Sequence, residues 1–315
     1  MVKTRQRRTP QHIVLNRRDG PCPCGSGKPV RFCCLQADGR LRIRPPNLHP
    51  PGDITGFANA GCYLSTTRNC SRKSSGEHYI SQSVLSEIGE TVSVGGFPWS
   101  GPTPEAQKIV GISSLTANIL CDRHNSSLTI LDANAGKFMR ILKRINHDLG
   151  NSVPNIPHEM NYLVSGEILE CWTLKVLLGM FFSNNVVGPD GRPLIKTFPV
   201  DMCRAIRALY EASWDEKCGL YLATLTGEQI NLDLSLGVQA LCGLSKNRTY
   251  GAVIGIYGLS FNIAIDNLDG HLVIETETAN YHPGFITFER GARKHRIVLT
   301  WASASAGGVT VIRPA

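Results

Sequence analysis

The second half of the chain shows two patterns of apolar positions, and each pattern predicts a different kind of element. Residues 163–182 and 199–214 carry apolar side chains at every third or fourth position, which is typical of helices with one buried face. Beyond residue 220 the apolar segments become short and rich in β-branched residues, with turn sequences between them, as in strands. The predicted strands cover residues 221–225, 230–236, 252–257, 259–265, 272–275, 285–288, 297–301 and 309–312.

These strands follow one another closely and no helix separates them. They therefore predict an antiparallel sheet that packs on the two helices, an α+β domain over residues 151–315. This segment contains no phosphate-binding loop, nucleophile elbow or internal repeat, and its sequence gives no indication of what the domain does.

The first 150 residues are predicted to form two further units. Proline pairs at 45–46 and 50–51 indicate an extended linker, which separates an N-terminal segment (residues 1–50) from a second domain (residues 51–150). The second domain is expected to end in a helix, because apolar residues recur at helical spacing after Asn125.

Positive charge is concentrated near the N-terminus. The formal net charge is +8, but residues 1–50 contain 11 Lys and Arg against 2 acidic residues, residues 51–150 contain 9 against 8, and residues 151–315 contain 13 against 15. Such a basic arm attracts polyanions, because it neutralises phosphates and releases their counterions. A solvated, mobile N-terminus has the same composition, and charge alone does not decide between the two.

The overall composition, with 42% hydrophobic and 18% charged residues, is that of a globular protein. The most apolar segment is interrupted by Glu167, Glu170 and Lys175, so it lacks the ~20 uninterrupted apolar residues that span a bilayer. No signal-peptide pattern is present. We therefore expect a reduced, cytoplasmic protein without a membrane partner, in spite of its 11 cysteines.

Four of the cysteines lie close together in the pattern C-x-C-x8-C-C, formed by Cys22, Cys24, Cys33 and Cys34. Four thiolates can enclose a zinc ion, and metal binding then folds a segment too short to bury its own core. The segment resembles the SEC-C zinc motif, a small appendage at one end of many bacterial proteins. The resemblance implies a structural zinc ion on these cysteines and an adaptor role toward a protein or a nucleic acid.

The middle domain contains two segments with further candidate chemistry. In EHYISQSVL (residues 77–85), Glu77 and His78 are adjacent, so on a strand they point to opposite faces, and one can hold a metal while the other polarises water. The segment NILCDRHN (residues 118–125) contains the C-x2-H spacing of a zinc knuckle between two asparagines, whose amides can orient an imidazole or ligate a hard cation.

Together the two segments resemble the HNH, or ββα-metal, nuclease family, over roughly residues 60–145. That family pairs (D/E)H-hydrophobic-x-P-x-S-x-L on a strand with a loop Asn and a final His or Asn that opens a helix. This chain follows the pattern except for Ser81 at the proline position. The resemblance implies a general base at His78, metal ligands at Glu77 and Asn125, and an orienting residue at Asn118.

Many members of the family also carry a structural zinc ion that holds the two strands to the helix. The matching residues here are Cys62, Cys70, Cys121 and His124, with a histidine where a cysteine is more usual. The gap between His78 and Asn118 is long and includes a turn-rich insertion, GGFPWSGP (residues 95–102). A hairpin of the family could carry this insertion on its surface.

The sequence thus predicts an α+β protein in three parts: a small N-terminal zinc module, a ββα-metal nuclease core and a C-terminal α+β domain with an antiparallel sheet. The implied function is hydrolysis of phosphodiester bonds in DNA with Mg²⁺ or another divalent cation, in restriction, phage defence or a mobile element. The alternative is a non-catalytic, zinc-stabilised adaptor for nucleic acid or protein. In both cases the SEC-C motif or the C-terminal domain could bind a protein partner.

Overall fold

The computed structural model describes residues 22, 28–35, 47–101, 103, 106–150, 159–188, 192–232, 235–243, 247–266, 279–302 and 307–313. Cys24, most of the basic arm and the strand predicted at 272–275 lie outside the described residues.

Helices and strands alternate irregularly along the described part of the chain. The helices are α1 (Gln82–Ile88), α2 (Asp122–Gly150), α3 (Gly166–Phe182), α4 (Leu194–Thr197) and α5 (Met202–Glu211). The strands are β1 (Ser74–His78), β2 (Thr91–Gly95), β3 (Gln107–Gly111), β4 (Thr116–Cys121), β5 (Glu159–Ser165), β6 (Gly219–Leu222), β7 (Leu236–Gly243), β8 (Arg248–Ile256), β9 (Leu259–Ala264), β10 (Asn280–Tyr281), β11 (Phe285–Arg290), β12 (Arg293–Thr300) and β13 (Val309–Ile312).

Two small antiparallel pairs of strands precede the long helix α2. β1 pairs with β4, with His78 opposite Thr116, and a bulge between Ser75 and Glu77 shifts the register. β2 pairs with β3 to form a hairpin that lies between β1 and β4 in the chain. The turn-rich insertion connects β2 to β3. α2 begins at the residue that follows β4, so the strand pair and the helix form one continuous unit.

The second half contains two larger sheets. A five-stranded sheet, in the order β10-β6-β9-β8-β7, is antiparallel throughout, as the sequence predicts. The other sheet, in the order β13-β11-β12-β5, is mixed, because β5 runs parallel to β12 and β13 runs parallel to β11. The chain is therefore a mixed α+β protein with antiparallel sheets.

Several element boundaries differ from the sequence prediction. The helix predicted from residue 163 begins only at Gly166, because Ser165 caps it by accepting a hydrogen bond from the Ile168 N–H, and the residues before it belong to β5. Residues 230–232 and 235, which the structure describes, lie outside the strands, and β7 begins at Leu236. Two glycines, Gly237 and Gly243, lower the strand propensity of β7 and hide it in the sequence.

α3 is the central helix of the protein. The sequence predicts one buried face, yet every residue from Gly166 to Phe181 is buried, because neighbouring elements cover the helix on all sides. Glycines allow two close approaches between elements here. A Cβ on Gly179 of α3 would lie 3.0 Å from the Tyr79 backbone, and a Cβ on Gly136 of α2 would lie 2.8 Å from the Ser83 side chain of α1.

One hydrophobic core connects the two halves of the protein and includes residues from Leu48 to Val311. α3, which follows residue 150, packs directly against the strand–helix unit that precedes it. The helices in the described part of the chain are all too short or too polar to cross a membrane.

Candidate functional site

Four candidate metal ligands meet where β4 continues into α2. Cys121 is the last residue of β4 and His124 lies in the first turn of α2, while Cys62 and Cys70 lie on either side of a short 3-10 helix, Ser65–Thr67. All four side chains are buried, and their ligand atoms lie within 4.8 Å of one another. We call these four residues the Cys/His cluster. The structure thus brings together the residues that the HNH resemblance assigns to a structural zinc ion.

The distances in this cluster suit a tetrahedral metal site. His124 Nδ1 lies 3.4 Å from Cys62 Sγ, 3.6 Å from Cys70 Sγ and 3.3 Å from Cys121 Sγ. With Zn–S bonds of about 2.3 Å and Zn–N bonds of about 2.0–2.1 Å, the N···S edges of a tetrahedron are roughly 3.5 Å long. The Cys/His cluster could therefore hold a metal ion such as zinc.

Thr67 orients the His124 ring from its other side. The Thr67 hydroxyl donates to the Leu64 carbonyl at 2.7 Å, so its oxygen is left to accept from His124 Nε2, which lies 3.1 Å away. Nε2 then carries the proton, and the lone pair of Nδ1 points at the three sulfur atoms. Burial, aided by the charge of Arg123, lowers the pKa of His124 to about 4, so the imidazole is neutral at physiological pH.

The thiols of the cluster differ in how easily they ionise. Burial raises the pKa of the Cys62 thiol to about 12. Burial acts in the same direction on Cys121, but hydrogen bonds with the backbone of His124 and Ser71 hold its pKa below the ordinary value of a cysteine. A cation among the sulfur atoms is needed before all three become thiolates at neutral pH, which is the form that binds zinc.

The N-terminal cysteines form a second possible metal site. Cys22, Cys33 and Cys34 have ligand atoms within 4.8 Å of one another. A backbone hydrogen bond of 2.8 Å from Cys22 to Lys28 and a 3-10 helix at Val30–Phe32 bring them together. These are the described members of the SEC-C pattern, and they could share a metal ion, while Cys24 lies outside the described residues.

Glu77 lies in the protein interior, where it shares the cation of Lys175 with a second carboxylate from another element. Lys175 Nζ, on α3, lies 2.5 Å from the Glu77 carboxylate and 2.6 Å from the Asp132 carboxylate on α2. The Lys175 and Glu77 side chains are only 4% and 6% exposed, and that of Asp132 is 22% exposed. We call Glu77, Asp132 and Lys175 the acid–lysine cluster.

Ser81 extends this cluster at the position where the HNH pattern has a proline. Its hydroxyl donates to the Asp132 carboxylate and accepts from the Trp172 indole N–H at 2.8 Å. Trp172 is fully buried, so these hydrogen bonds satisfy polar atoms that water does not reach. The Ser81 hydroxyl at the proline position therefore links Trp172 to Asp132.

The charges in the acid–lysine cluster depend on one another. Burial raises the pKa of Glu77 above its ordinary value, and Lys175 opposes this effect. Burial also disfavours the charged form of Lys175, but Asp132 and Glu77 together outweigh it and hold the pKa of Lys175 above its ordinary value. Lys175 is therefore a permanent cation between two carboxylates.

His78 ends β1 and is partly buried. Burial lowers its pKa, and a hydrogen bond with the Ile112 backbone acts in the opposite direction. His78 Nε2 is buried and has no hydrogen-bond partner among the described residues. A neutral imidazole in this arrangement can accept a proton from a water molecule that reaches Nε2.

The two candidate asparagines lie on β4 and α2. The Asn125 amide donates to Ser75 Oγ at 2.8 Å, which ties the start of α2 to β1. Asn118 is exposed and lies across from the bulge in β1. The hydrogen bond of His78 that affects its pKa is with the Ile112 backbone.

Sequence reasoning missed Lys175, Asp132 and Thr67. A signal existed for Lys175: a lysine inside the most apolar segment of the chain is rarely buried without a paired acid. Nothing in the sequence indicated that its partners are Glu77 and Asp132, because these residues come together only when α3 packs on α2 and β1.

Comparisons of this chain with protein-family models, with curated proteins and with solved structures returned no match.

Proposed function

We propose that this protein is a metal-dependent endonuclease of the HNH type that hydrolyses phosphodiester bonds in DNA. His78 is the general base, Asn118 assists its orientation, and Glu77 and Asn125 are the residues that would hold a divalent cation such as Mg²⁺. The Cys/His cluster and the four N-terminal cysteines each bind a structural zinc ion in this proposal.

The observation that carries the proposal is the order of elements around His78. β1 and β4 pair in antiparallel fashion, α2 follows β4 without a break, and the Cys/His cluster lies at that junction. The resemblance to the HNH family implies the same order of two strands, a fastening metal and a helix. His78 ends the first strand and Asn125 lies in the first turn of the helix, which supports their assignment to one site.

The chain's own residues suit a proton-transfer step. Burial keeps the pKa of His78 below its ordinary value, so the ring is neutral at pH 7. Nε2 is buried in this structure, so it accepts a proton from the attacking water only once water gains access to it. A divalent cation, when bound, would stabilise the charge that develops on the leaving oxygen. The excess of 11 basic over 2 acidic residues in the first 50 positions supports attraction of the DNA backbone.

The position of Glu77 adds a condition to this proposal. Glu77 is in contact with Lys175, whereas Asn125 is in contact with Ser75, so the two residues do not form a ready cation site in this structure. A divalent cation at Glu77 has to compete with the Lys175 ammonium for the carboxylate.

The same observation favours the second candidate function, a non-catalytic adaptor. If Lys175 permanently neutralises Glu77, the strand–helix unit is a zinc-stabilised scaffold that binds nucleic acid or protein without cleaving it. The two candidates differ in one measurable property, which is hydrolysis that depends on His78.

The test is incubation of the full-length protein with plasmid and linear DNA in the presence of Mg²⁺, Mn²⁺ or Ni²⁺. We expect the His78→Ala variant to cleave ~10²–10⁴-fold more slowly than wild type, because it lacks the proton acceptor. His147→Ala is a matched control, since His147 lies near the other end of α2 with its side chain 64% exposed, and it should cleave like wild type.

Zinc content and DNA affinity should be the same in His78→Ala as in wild type. Equal cleavage by the two proteins, or no cleavage by either under any of the three metals, would reject the nuclease proposal and leave the adaptor.

A further inference from the structure

A cleft of about 360 Å³ lies next to the strand that carries His78. Its lining combines aromatic rings, an amide and a lysine, among them Tyr79, Trp99, Lys108, Thr116 and Asn185. Trp99 belongs to the turn-rich insertion and Lys108 to β3, so the hairpin inserted between β1 and β4 forms one wall. The predicted HNH chemistry assigns no role to this hairpin.

Trp99 is held rigidly while part of its ring stays open to solvent. The indole stacks on Phe97 with centroids 5.0 Å apart and an angle of 24° between the ring planes. Its N–H donates to the Asn185 side chain at 2.9 Å, yet the residue remains 38% exposed. A large aromatic ring fixed in this way presents a ready stacking surface.

Asn185 is the fixed point that holds the ring. It is buried, and its amide nitrogen donates to Ser183 Oγ at 2.8 Å while its oxygen accepts from Trp99. Tyr79 also hydrogen-bonds to the Asn185 side chain. Tyr79 directly follows His78 in the chain. Asn185 therefore connects the Trp99 ring to the residue next to the candidate base.

Lys108 supplies a positive charge over the Trp99 ring. Its ammonium lies 5.9 Å from the centre of the Trp99 ring, and the residue is exposed. This pair suits one nucleotide of a nucleic-acid strand: the base stacks on the aromatic ring, and its phosphate contacts the cation.

The cleft is adjacent to His78 by strand register. Thr116, which lines the cleft, is the cross-strand partner of His78, and residues directly opposite each other on an antiparallel pair lie on the same face. The cleft therefore lies close to the backbone of His78, while the His78 side chain is not among the residues that line it.

We propose that this cleft binds an unpaired nucleobase of a nucleic-acid strand, with the base stacked on Trp99 and an adjoining phosphate on Lys108. The inference rests on the proposed function and specifies its substrate: DNA that is single-stranded, or has an extruded base, at the nucleotide in the cleft. A double helix is too wide for a cavity of this volume, whereas a single extruded base fits a snug pocket of this kind.

The test measures binding of a fluorescein-labelled oligo(dT) strand and of a labelled duplex of equal length, by fluorescence anisotropy without added divalent cation. For Trp99→Ala we expect about 5- to 140-fold weaker binding of the single strand, the range for loss of one stacked base. Duplex affinity should change less than twofold. Trp99→Phe should restore most of the single-strand affinity, because a phenyl ring still stacks.

Two further variants complete the design. Lys108→Ala should weaken single-strand binding and reduce the slope of log K against log [salt] by about 0.7, the value for one phosphate contact on a single strand. Ile109→Ala is the matched control, since Ile109 is the neighbouring residue on the same hairpin, is 75% exposed and does not line the cleft, and it should bind like wild type.

The outcomes separate this inference from the proposed function. Unchanged single-strand binding by Trp99→Ala would overturn the inference, even if cleavage depends on His78. Loss of single-strand binding in Trp99→Ala, with no cleavage by wild type, would support the cleft as a base-binding site and reject the nuclease.

Discussion

The Cys/His cluster and the acid–lysine cluster are two ways of burying groups that carry charge. Both lie beside the β1–β4 pair and use a residue of α2, and the side chains in each are largely or fully buried. The Cys/His cluster needs a metal ion from solution to balance its thiolates. The acid–lysine cluster contains its own cation, because Lys175 is part of the chain.

This difference decides what each cluster depends on. The stability that the Cys/His cluster contributes varies with zinc concentration, because ligand binding free energy adds to folding free energy. The stability that the acid–lysine cluster contributes depends only on whether α3 is in place.

Cys121→Ser should have the largest effect on stability. It removes one of three thiolates from the Cys/His cluster, and structural zinc contributes about 10–16 kcal/mol of apparent binding free energy in isolated zinc-finger peptides, of which a substantial part should be lost here. We expect the zinc content, measured by elemental analysis of protein purified without chelator, to fall from two ions per chain to one, together with a lower melting temperature.

Cys203→Ser is the matched control for this experiment, because Cys203 is exposed and lies outside both cysteine clusters. It should keep the zinc content and the melting temperature of wild type. A wild-type protein with fewer than two zinc ions, or a Cys121→Ser protein that keeps its full complement, would contradict the assignment.

Lys175→Met should cost about 3–5 kcal/mol of unfolding free energy, because it leaves the buried Glu77 carboxylate without its counter-ion. Zinc content should stay unchanged, which distinguishes this effect from that of Cys121→Ser. Urea denaturation gives the free energy of unfolding.

The double variant Glu77→Gln with Lys175→Met is the internal control for the pair. Because both partners are then uncharged, its cost should be smaller than the sum of the two single substitutions. Additive costs would show that Glu77 and Lys175 do not interact in solution.

Thr67→Val should have the smallest effect of the three. It removes the acceptor that holds the proton on His124 Nε2 while it preserves the shape of the side chain. Loss of such a partner weakens metal binding by about 10- to 100-fold, which a competition titration with a zinc chelator would measure. Thr67→Ser keeps the hydroxyl and should bind zinc like wild type; equal affinity for all three proteins would exclude this role.

The same comparison explains how much the sequence could predict. The Cys/His cluster was predictable because its chemistry is concentrated in rare residue types, and two of its members, Cys121 and His124, lie three positions apart. Glu77, Asp132 and Lys175 are common residue types with no characteristic spacing. Their association depends on tertiary packing, which periodicity does not encode.

The fold was predictable to a similar degree. The strands β6, β8 and β9 of the five-stranded antiparallel sheet and the helices α2, α3 and α5 follow from apolar spacing. β5 was missed because its last residues continue into the apolar pattern of α3, and β7 because glycines interrupt it. α3 is buried on every side because other elements surround it. The sequence of the helix alone does not indicate these neighbours.

The origin of Lys175 in α3 has a consequence for biosynthesis. A ribosome makes the chain from its N-terminus, and Asp132 is synthesised 43 residues before Lys175. A nascent chain that ends near residue 150 therefore contains Glu77 and Asp132 but not the lysine that neutralises them. Translation order thus delays completion of the strand–helix unit until α3 has emerged, so truncated products of interrupted translation lack the finished site.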